Sequence, residues 1–93
     1  MKPRITMATT KDGTLEIFVN EAGRDLLVKE LLGLSRTSDH FHFSPEEYAM
    51  EVPVQTVAYS DGDKIHGWGT FLFRPDDWDA QYFPHVLQSK PRE

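Results

Sequence analysis

The first third of the chain shows a hydrophobic period of two. Ile5 and Met7 alternate with polar or small residues, and after a Lys-Asp-Gly stretch Leu15, Ile17 and Val19 alternate with Glu16 and Phe18. Two such runs separated by an Asp-Gly turn signal are typical of a β-hairpin. We therefore expect two antiparallel strands before residue 20.

A helical period follows the hairpin. Asn20 is a favoured N-cap residue, and the acidic residues just after it suit the positive end of a helix dipole. Leu27, Leu31 and Leu34 recur at helical spacing, with Val28 beside them. The pattern predicts an amphipathic helix that ends at about Leu34 and lays its leucines on a sheet.

The stretch from Ser38 to Glu47 resembles a chemical site more than any other part of the chain. Alternation along a strand puts His40 and His42 on one face and Phe41 and Phe43 on the other. A proline at position 45 ends this strand, and the two glutamates after it favour the first turn of a helix.

A second hairpin is predicted further along. Residues 55–60 form a short strand-like run, Asp61 to Asp63 supply a turn, and Lys64 to Phe73 make a long second run. Alternation in that long run puts His66 and Trp68 on the face opposite to its two glycines. The glycines would let the helix approach the sheet closely.

Aromatic residues return near the end of the chain. Trp78, Tyr82 and Phe83 are spaced roughly as on a helix, which predicts a short C-terminal helical segment. Residues 88–93 are expected to form a disordered tail. The remaining residues 1–87 have the length of a single domain.

The elements therefore run β-β-α-β-β-β before the short C-terminal helical segment. This order predicts an α+β fold in which one main helix packs on one face of a single antiparallel sheet. The face under the helix is expected to carry Leu15, Ile17, Phe41, Phe43, Ile65, Phe71 and Phe73. The opposite face receives Phe18, His40, His42, His66, Trp68 and Leu72. A sheet face so rich in aromatic residues is unusual for a surface exposed to water, so we expect another part of this chain or a second chain to cover it.

Composition narrows the classes of function. The absence of cysteine excludes disulfides, thiolate zinc sites and cysteine nucleophiles. The formal net charge of −5 and the lack of a Lys/Arg cluster argue against nucleic acid and favour a basic protein partner. We expect no signal peptide, no membrane span and a cytoplasmic location.

Two interpretations of the histidines stay open at this point. His40, His42 and His66 would form a zinc site if their strands are neighbours, with Asp39, Glu46 or Glu47 as an oxygen ligand. Alternatively, neutral histidines beside an exposed tryptophan are suitable residues for a protein interface.

Signatures of catalysis are missing from the sequence. Glu46 and Glu47 are adjacent and point in different directions in most backbones, so they do not make a facing carboxylate pair. No serine lies in a Gly-x-Ser-x-Gly motif, and the glycines form neither a phosphate loop nor a dinucleotide fingerprint. We expect a protein that is not an enzyme and needs no cofactor.

The segment from Asp12 to Leu34, followed by Asp39, His40, His42 and Phe43, resembles the immunity protein 32 family of bacterial polymorphic-toxin systems. In that family a hairpin and a leucine-rich helix precede an Asp-His-x-His-apolar strand, an acidic loop and a final aliphatic strand. The resemblance implies a small non-enzymatic protein that binds and occludes a toxin, and acidity suits a basic toxin.

Aromatic anchors within an acidic rim are the expected binding surface. The residues expected to bind the partner are Phe18, His40, His42, Glu46, Glu47, His66, Trp68, Leu72, Asp76, Asp77 and Trp78. A homodimer that buries the same surface against a second copy is the other interpretation that stays open.

Overall fold

The computed structural model describes residues 1–88 of the chain. Its strands and helices follow in the order β1 (Ile5–Thr9), β2 (Leu15–Val19), α1 (Glu21–Leu32), β3 (His40–Pro45), a 3-10 turn (Glu46–Tyr48), β4 (Val52–Val54), β5 (Lys64–Ile65), β6 (Gly69–Leu72), α2 (Asp76–Tyr82) and a second 3-10 turn (Pro84–Leu87). The predicted α+β class is confirmed.

The predicted first hairpin is confirmed, and the structure gives its register. β1 and β2 are antiparallel, with Met7 opposite Ile17 and Thr9 opposite Leu15. Gly13 in the connecting turn has a φ of 91°, a left-handed conformation that glycine adopts without steric cost. The Asp-Gly signal in the sequence therefore marked the turn correctly.

The main helix begins where the sequence predicts. The side chain of Asn20 accepts a hydrogen bond from the backbone N–H of Gly23 at 2.7 Å, which satisfies one free donor of the first turn. The same oxygen accepts from the backbone N–H of Arg4 at 2.9 Å, so the cap also fastens the helix to the start of β1. The helix ends at Leu32, two residues before the predicted end.

The prediction of a single antiparallel sheet is wrong. Within residues 1–88 the strands form two three-stranded sheets, a first sheet in the order β2-β1-β5 and a second sheet in the order β4-β3-β6. β3 and β4 pair in parallel, with Phe43 opposite Val52. The reason is that the 3-10 turn and the residues after it carry the chain back to the level of Phe43, in the middle of β3, before β4 begins.

The predicted second hairpin is also wrong. Residues 55–60 form no strand, and β5 pairs with β1 instead, with Ile65 opposite Ala8. The run from Lys64 to Phe73 is interrupted at residues 66–68, so β5 joins the first sheet and β6 joins the second. A long-range partner for β5 cannot be recognised from the local alternation on which the prediction depended.

A hydrogen bond connects the two sheets. The backbone N–H of Gln55, just after β4, donates to the carbonyl of Ile5 in β1 at 2.7 Å. On the same edge of β1, the carbonyl of Met7 accepts a hydrogen bond from the backbone N–H of His66 at 2.8 Å. β1 is therefore the central strand of the first sheet, and at Ile5 it is also hydrogen-bonded to the residue that follows β4 of the second sheet.

The core lies between the inner faces of the two sheets and α1. Its buried cluster consists of Ile5, Met7, Phe41, Val52 and Val54. Five partly buried residues pack against this cluster: Leu26, Leu27, Leu34, Phe43 and Phe71. The predicted packing of the helix on one sheet face is confirmed, whereas Val28 and Leu31 of the predicted stripe are about half exposed.

Two residues predicted for the core are not covered. Leu15 and Ile17 in β2 remain 59% and 48% exposed, although they share a face with buried Met7. The helix packs over the Ile5 end of the first sheet and leaves β2 open. The Cα radius of gyration, 15.7 Å, exceeds the roughly 13 Å of a compact chain of this size.

The C-terminal helical segment is confirmed, with α2 followed by a 3-10 turn. It meets the rest of the chain through an ion pair of 2.7 Å between Arg36 and Asp77 and through Arg74, whose guanidinium lies 4.5 Å from the ring centre of Trp78. Of the predicted tail, Gln88 is described, and residues 89–93 lie outside the described part of the chain.

Candidate functional site

An open groove lined mainly by apolar side chains lies between the inner faces of the two sheets. We call it the apolar groove, and its volume is about 410 Å³. The residues that line it are Met7, Thr9, Leu15, Ile17, Phe43, His66, Trp68 and Phe71. Two of them, His66 and Trp68, belong to the binding residues expected from the sequence.

One wall of the apolar groove comes from the first hairpin. The register places Met7 beside Ile17 and Thr9 beside Leu15 on the same face. Since α1 covers the other end of this face, the side chains of β2 stay accessible at the groove. An apolar ligand surface of the right shape would bury them.

The opposite wall is aromatic. Phe71 stacks on Phe41 with ring centres 4.8 Å apart and is tilted against Phe43 at 5.9 Å. Phe43 lies directly over Gly69 on the neighbouring strand, where a Cβ atom would overlap its ring. The glycine in β6 therefore makes room for a cross-strand phenylalanine, and not for the helix as the sequence suggested.

Trp68 stands at the mouth of the groove. Its side chain is 61% exposed, and its ring centre lies 4.6 Å from that of Tyr48 in a tilted arrangement. Tyr48 belongs to the 3-10 turn that the two glutamates begin, as the sequence predicts. The pair presents two large aromatic side chains to solvent next to an apolar wall.

His66 lies deeper in the same groove. Its ring Nε2 is 2.6 Å from the hydroxyl oxygen of Thr9, and its backbone N–H is bound to β1. The imidazole is therefore positioned by the first sheet. It supplies a polar group on the floor of a groove whose walls are otherwise mainly apolar.

An acidic hollow lies at the turn of the first hairpin. Its residues are Thr10, Lys11, Asp12, Thr14, Glu16, Ser60, Asp61 and Asp63, so four carboxylates accompany one lysine. Thr10 and Thr14 directly follow and precede the groove residues Thr9 and Leu15. A hydrogen bond from the Thr10 hydroxyl holds the pKa of Asp12 below its ordinary value.

His40, His42 and Leu72 come together on the outer face of the second sheet, as expected. His40 lies opposite Leu72 across the strands, and the two imidazole centres are 5.0 Å apart. Each histidine has an acidic neighbour: Nδ1 of His40 is 2.8 Å from Asp39, and Nδ1 of His42 is 3.1 Å from Glu51. These contacts are exposed hydrogen bonds between side chains, of small individual strength.

The prediction that His66 and Trp68 share that outer face is wrong. Both line the apolar groove, and His66 is bound to the first sheet. The physical reason is the interruption between β5 and β6, because alternation no longer determines a common face once the strand bends. In residues 1–88 no group of three or more His, Cys, Asp or Glu side chains is arranged to hold a metal ion, so the three-histidine site is not assembled.

Phe18 is not available to a partner as predicted. Its ring stacks on Tyr59 with centres 3.9 Å apart and planes at 10°. Tyr59 in turn accepts a hydrogen bond from Arg4 at 3.0 Å. Residues 55–60 thus cross the outer face of the first sheet, so this part of the predicted second face is covered by the chain itself.

The acidic residues expected at the rim are dispersed. Glu46 forms an ion pair of 2.8 Å with Lys2, and Asp77 is paired with Arg36. Trp78 packs among its own segment, 4.7 Å from Tyr82. Glu47 and Asp76 are exposed, and neither lines the apolar groove or the acidic hollow.

The sequence interpretation missed several residues of the groove. Met7 was assigned to a strand without a role, and Leu15, Ile17, Phe43 and Phe71 were assigned to the core. Their alternation showed correctly that they face inward. What it did not show is that α1 leaves part of this inner face open.

No family model, no curated protein and no solved structure matches the chain. The resemblance to the immunity protein 32 family therefore stays a prediction. In the described residues, none of the helices has the length and apolar character needed to cross a membrane.

Proposed function

We propose that this chain is a small non-enzymatic protein-binding domain that holds its partner in the apolar groove, and that it acts as an immunity-like protein which binds and occludes a basic toxin. The observation that carries the proposal is the exposed Trp68 at the mouth of an apolar groove, in a chain that also gathers four carboxylates in a hollow at the turn of its first hairpin. An anchor of this kind in a polar surrounding is typical of interface hot spots.

Burial of apolar surface would supply the affinity. Trp68, Leu15 and Ile17 are each about half exposed or more, and covering large apolar side chains yields on the order of 1.5–3 kcal/mol for full burial of each. The Thr9 and His66 pair offers a polar partner at the floor of the groove. A protein side chain or helix that fills the groove would satisfy both requirements.

Charge supports a basic partner. The whole chain carries a formal net charge of −5, and the acidic hollow concentrates four carboxylates at the turn of the first hairpin. Opposite charges across an interface speed the encounter and exclude partners of the wrong sign. Nuclease-type toxins that bind nucleic acid would present such a basic surface.

The choice of a toxin as the partner depends on the resemblance described above. Its residues Asp39, His40, His42 and Phe43 lie on or directly before β3, in the middle of the second sheet. Phe43 contributes to the groove, while the two histidines hold Asp39 and Glu51 on the outer face. β3 would therefore contribute Phe43 to the binding surface on its inner side, while the contacts on its outer side support the strand.

Co-expression with the product of the neighbouring gene tests the proposal. We expect the two proteins to copurify, and we expect the wild-type chain to protect cells from that product. Trp68→Asp should abolish both effects, while Leu72→Asp, a matched change at a similarly exposed side chain on the outer face, should retain them. A neighbour that is harmless and unbound would overturn the proposal, and loss of binding with Leu72→Asp alone would place the site on the outer face instead.

A further inference from the structure

The free edge of β2 has the geometry of a self-complementary interface. β2 is the outer strand of the first sheet, and among residues 1–88 no strand pairs with its second edge. Hydrogen bonds join Asn20 to Arg4 and Thr10 to Thr14, and the strand register lies between these two pairs. Because bonded pairs alternate in an antiparallel ladder, the backbone groups of Leu15, Ile17 and Val19 point away from β1.

We infer that a second copy of this chain pairs with this edge, β2 against β2, to form a continuous six-stranded sheet. The inference does not depend on the partner proposed above. The pairing is antiparallel and centred on Ile17, so that Ile17 faces its own copy and Leu15 faces Val19 of the other copy. All outward backbone groups of the strand then form hydrogen bonds, as in other cases of edge-to-edge association.

The charge pattern of the strand selects this register. Centred on Ile17, the pairing places Glu16, the only charged residue of β2, opposite Phe18 of the second copy. A shift that centres the pairing on residue 16 would instead bring the two copies of Glu16 face to face, which destabilises a strand pair. A shift to residue 18 would leave Leu15 outside the strand pairing.

Exposed apolar side chains of β2 would lie beside those of the second copy. Leu15, Ile17 and Val19 are on one face of β2, and all three are 44% exposed or more. The helix flank next to β2 continues this surface, because Arg24 and Val19 line one shallow hollow and Val28 follows Arg24 by one helical turn. Pairing about a two-fold axis would bring the two apolar surfaces together.

The area sets the expected strength. Five strand residues and one helix flank make an interface at or below the roughly 600–800 Å² per partner that stable complexes bury. We therefore expect a dimer that dissociates in the micromolar range. Leu15 and Ile17 line the apolar groove of each copy. Because the pairing puts these residues of both copies on the same face of the joined sheet, the two grooves would open on that face.

Sedimentation velocity over a range of concentrations tests the dimer. Wild type should shift from monomer to dimer as its concentration rises. Ile17→Lys places two like charges at the two-fold axis, and Ile17→Pro removes an outward N–H without removing a bond to β1. Both variants should stay monomeric, whereas Leu72→Lys, a matched change at an exposed leucine of another strand, should dimerise as wild type does. A wild type that is monomeric throughout, or Ile17 variants that dimerise normally, would overturn the inference.

Cysteine cross-linking tests the register without depending on the folding of the proline variant. The natural chain has no cysteine, so a single introduced cysteine reports on its own surroundings. In the proposed register the two Cα atoms of residue 17 are about 5.5 Å apart, within the range of a disulfide. Ile17→Cys should therefore form a cross-linked dimer under mild oxidation, and Leu15→Cys should not. Equal cross-linking of both variants, or of neither, contradicts the proposed pairing.

Discussion

Glu51 and His42 are joined by two hydrogen bonds through one carboxylate oxygen. Oε1 of Glu51 accepts from the backbone N–H of His42 at 2.7 Å and from its ring Nδ1 at 3.1 Å. Glu51 directly precedes β4, and His42 lies within β3. The contact therefore fastens the connection between the two parallel strands, and its backbone hydrogen bond is the main cause that holds the pKa of Glu51 below its ordinary value of 4.5.

Glu51→Gln should lower the free energy of unfolding slightly near neutral pH, by less than about 1 kcal/mol because the carboxylate is partly exposed. Since the folded pKa is depressed, the stabilisation is complete above pH 4.5 and is lost as the pH falls through the folded value. Urea unfolding at a series of pH values checks this, with Glu47→Gln as the control for charge. A difference between wild type and Glu51→Gln that stays constant down to about pH 3 would contradict the account.

Gly23→Ala should destabilise the fold. A Cβ atom there would lie 2.7 Å from the carbonyl oxygen of Arg4 and 2.9 Å from Cγ1 of Ile5, so α1 would have to move away from β1. We expect a loss of about 1–3 kcal/mol in the free energy of unfolding, as for other overpacked sites. Gly33→Ala is the matched control, because its Cβ atom would meet only atoms at 3.4 Å or more. Equal melting temperatures of the two variants would contradict the close contact between α1 at Gly23 and β1.

Thr6→Val should stabilise the protein. Thr6 is 1% exposed, and its hydroxyl oxygen finds no hydrogen-bond partner among the described residues. Valine keeps the branched shape and removes the unpaired hydroxyl, so the free energy of unfolding should rise by about 1 kcal/mol. Thr6→Ser, which keeps the hydroxyl and loses the methyl group, should lower it. Chemical denaturation of the three proteins measures both changes, and a destabilised Thr6→Val would indicate that the hydroxyl has a partner.

The acidic hollow should govern the rate of association with a basic partner. Replacing Asp12, Asp61 and Asp63 by asparagine should slow association and weaken its dependence on salt, because steering acts through the local field. A matched triple replacement of Glu30, Glu47 and Asp76 changes the formal charge equally outside the hollow and should have a smaller effect. Stopped-flow association rates at several salt concentrations compare the two. Equal slowing by both sets would mean that only net charge matters.

Local signals in the sequence predicted much of the fold. The Asp-Gly turn, the Asn20 cap and the glutamates that begin the 3-10 turn each act over a few residues, and all three are confirmed. The second hairpin failed because the partner of β5 is β1, more than fifty residues earlier. Alternation identifies a strand, but it carries no information on which distant strand it joins.

The candidate site was predicted less completely. Trp68 and His66 were identified, yet they were placed on the wrong face because the strand bends between β5 and β6. Leu15 and Ile17 were taken for core residues because alternation shows which side chains share a face. Whether a helix is placed to cover that face depends on tertiary packing, and the short α1 covers only the part near Ile5.

Calorimetric titration of the full chain with the purified product of the neighbouring gene tests the central claim most directly. We predict binding at micromolar strength or tighter for wild type, and a loss of about 30-fold or more in affinity for Trp68→Ala, as expected for a hot-spot tryptophan. Tyr82→Ala, a comparably exposed aromatic residue on α2, should bind as wild type does. Absence of binding by wild type, or equal affinity of wild type and Trp68→Ala, would contradict a partner held in the apolar groove.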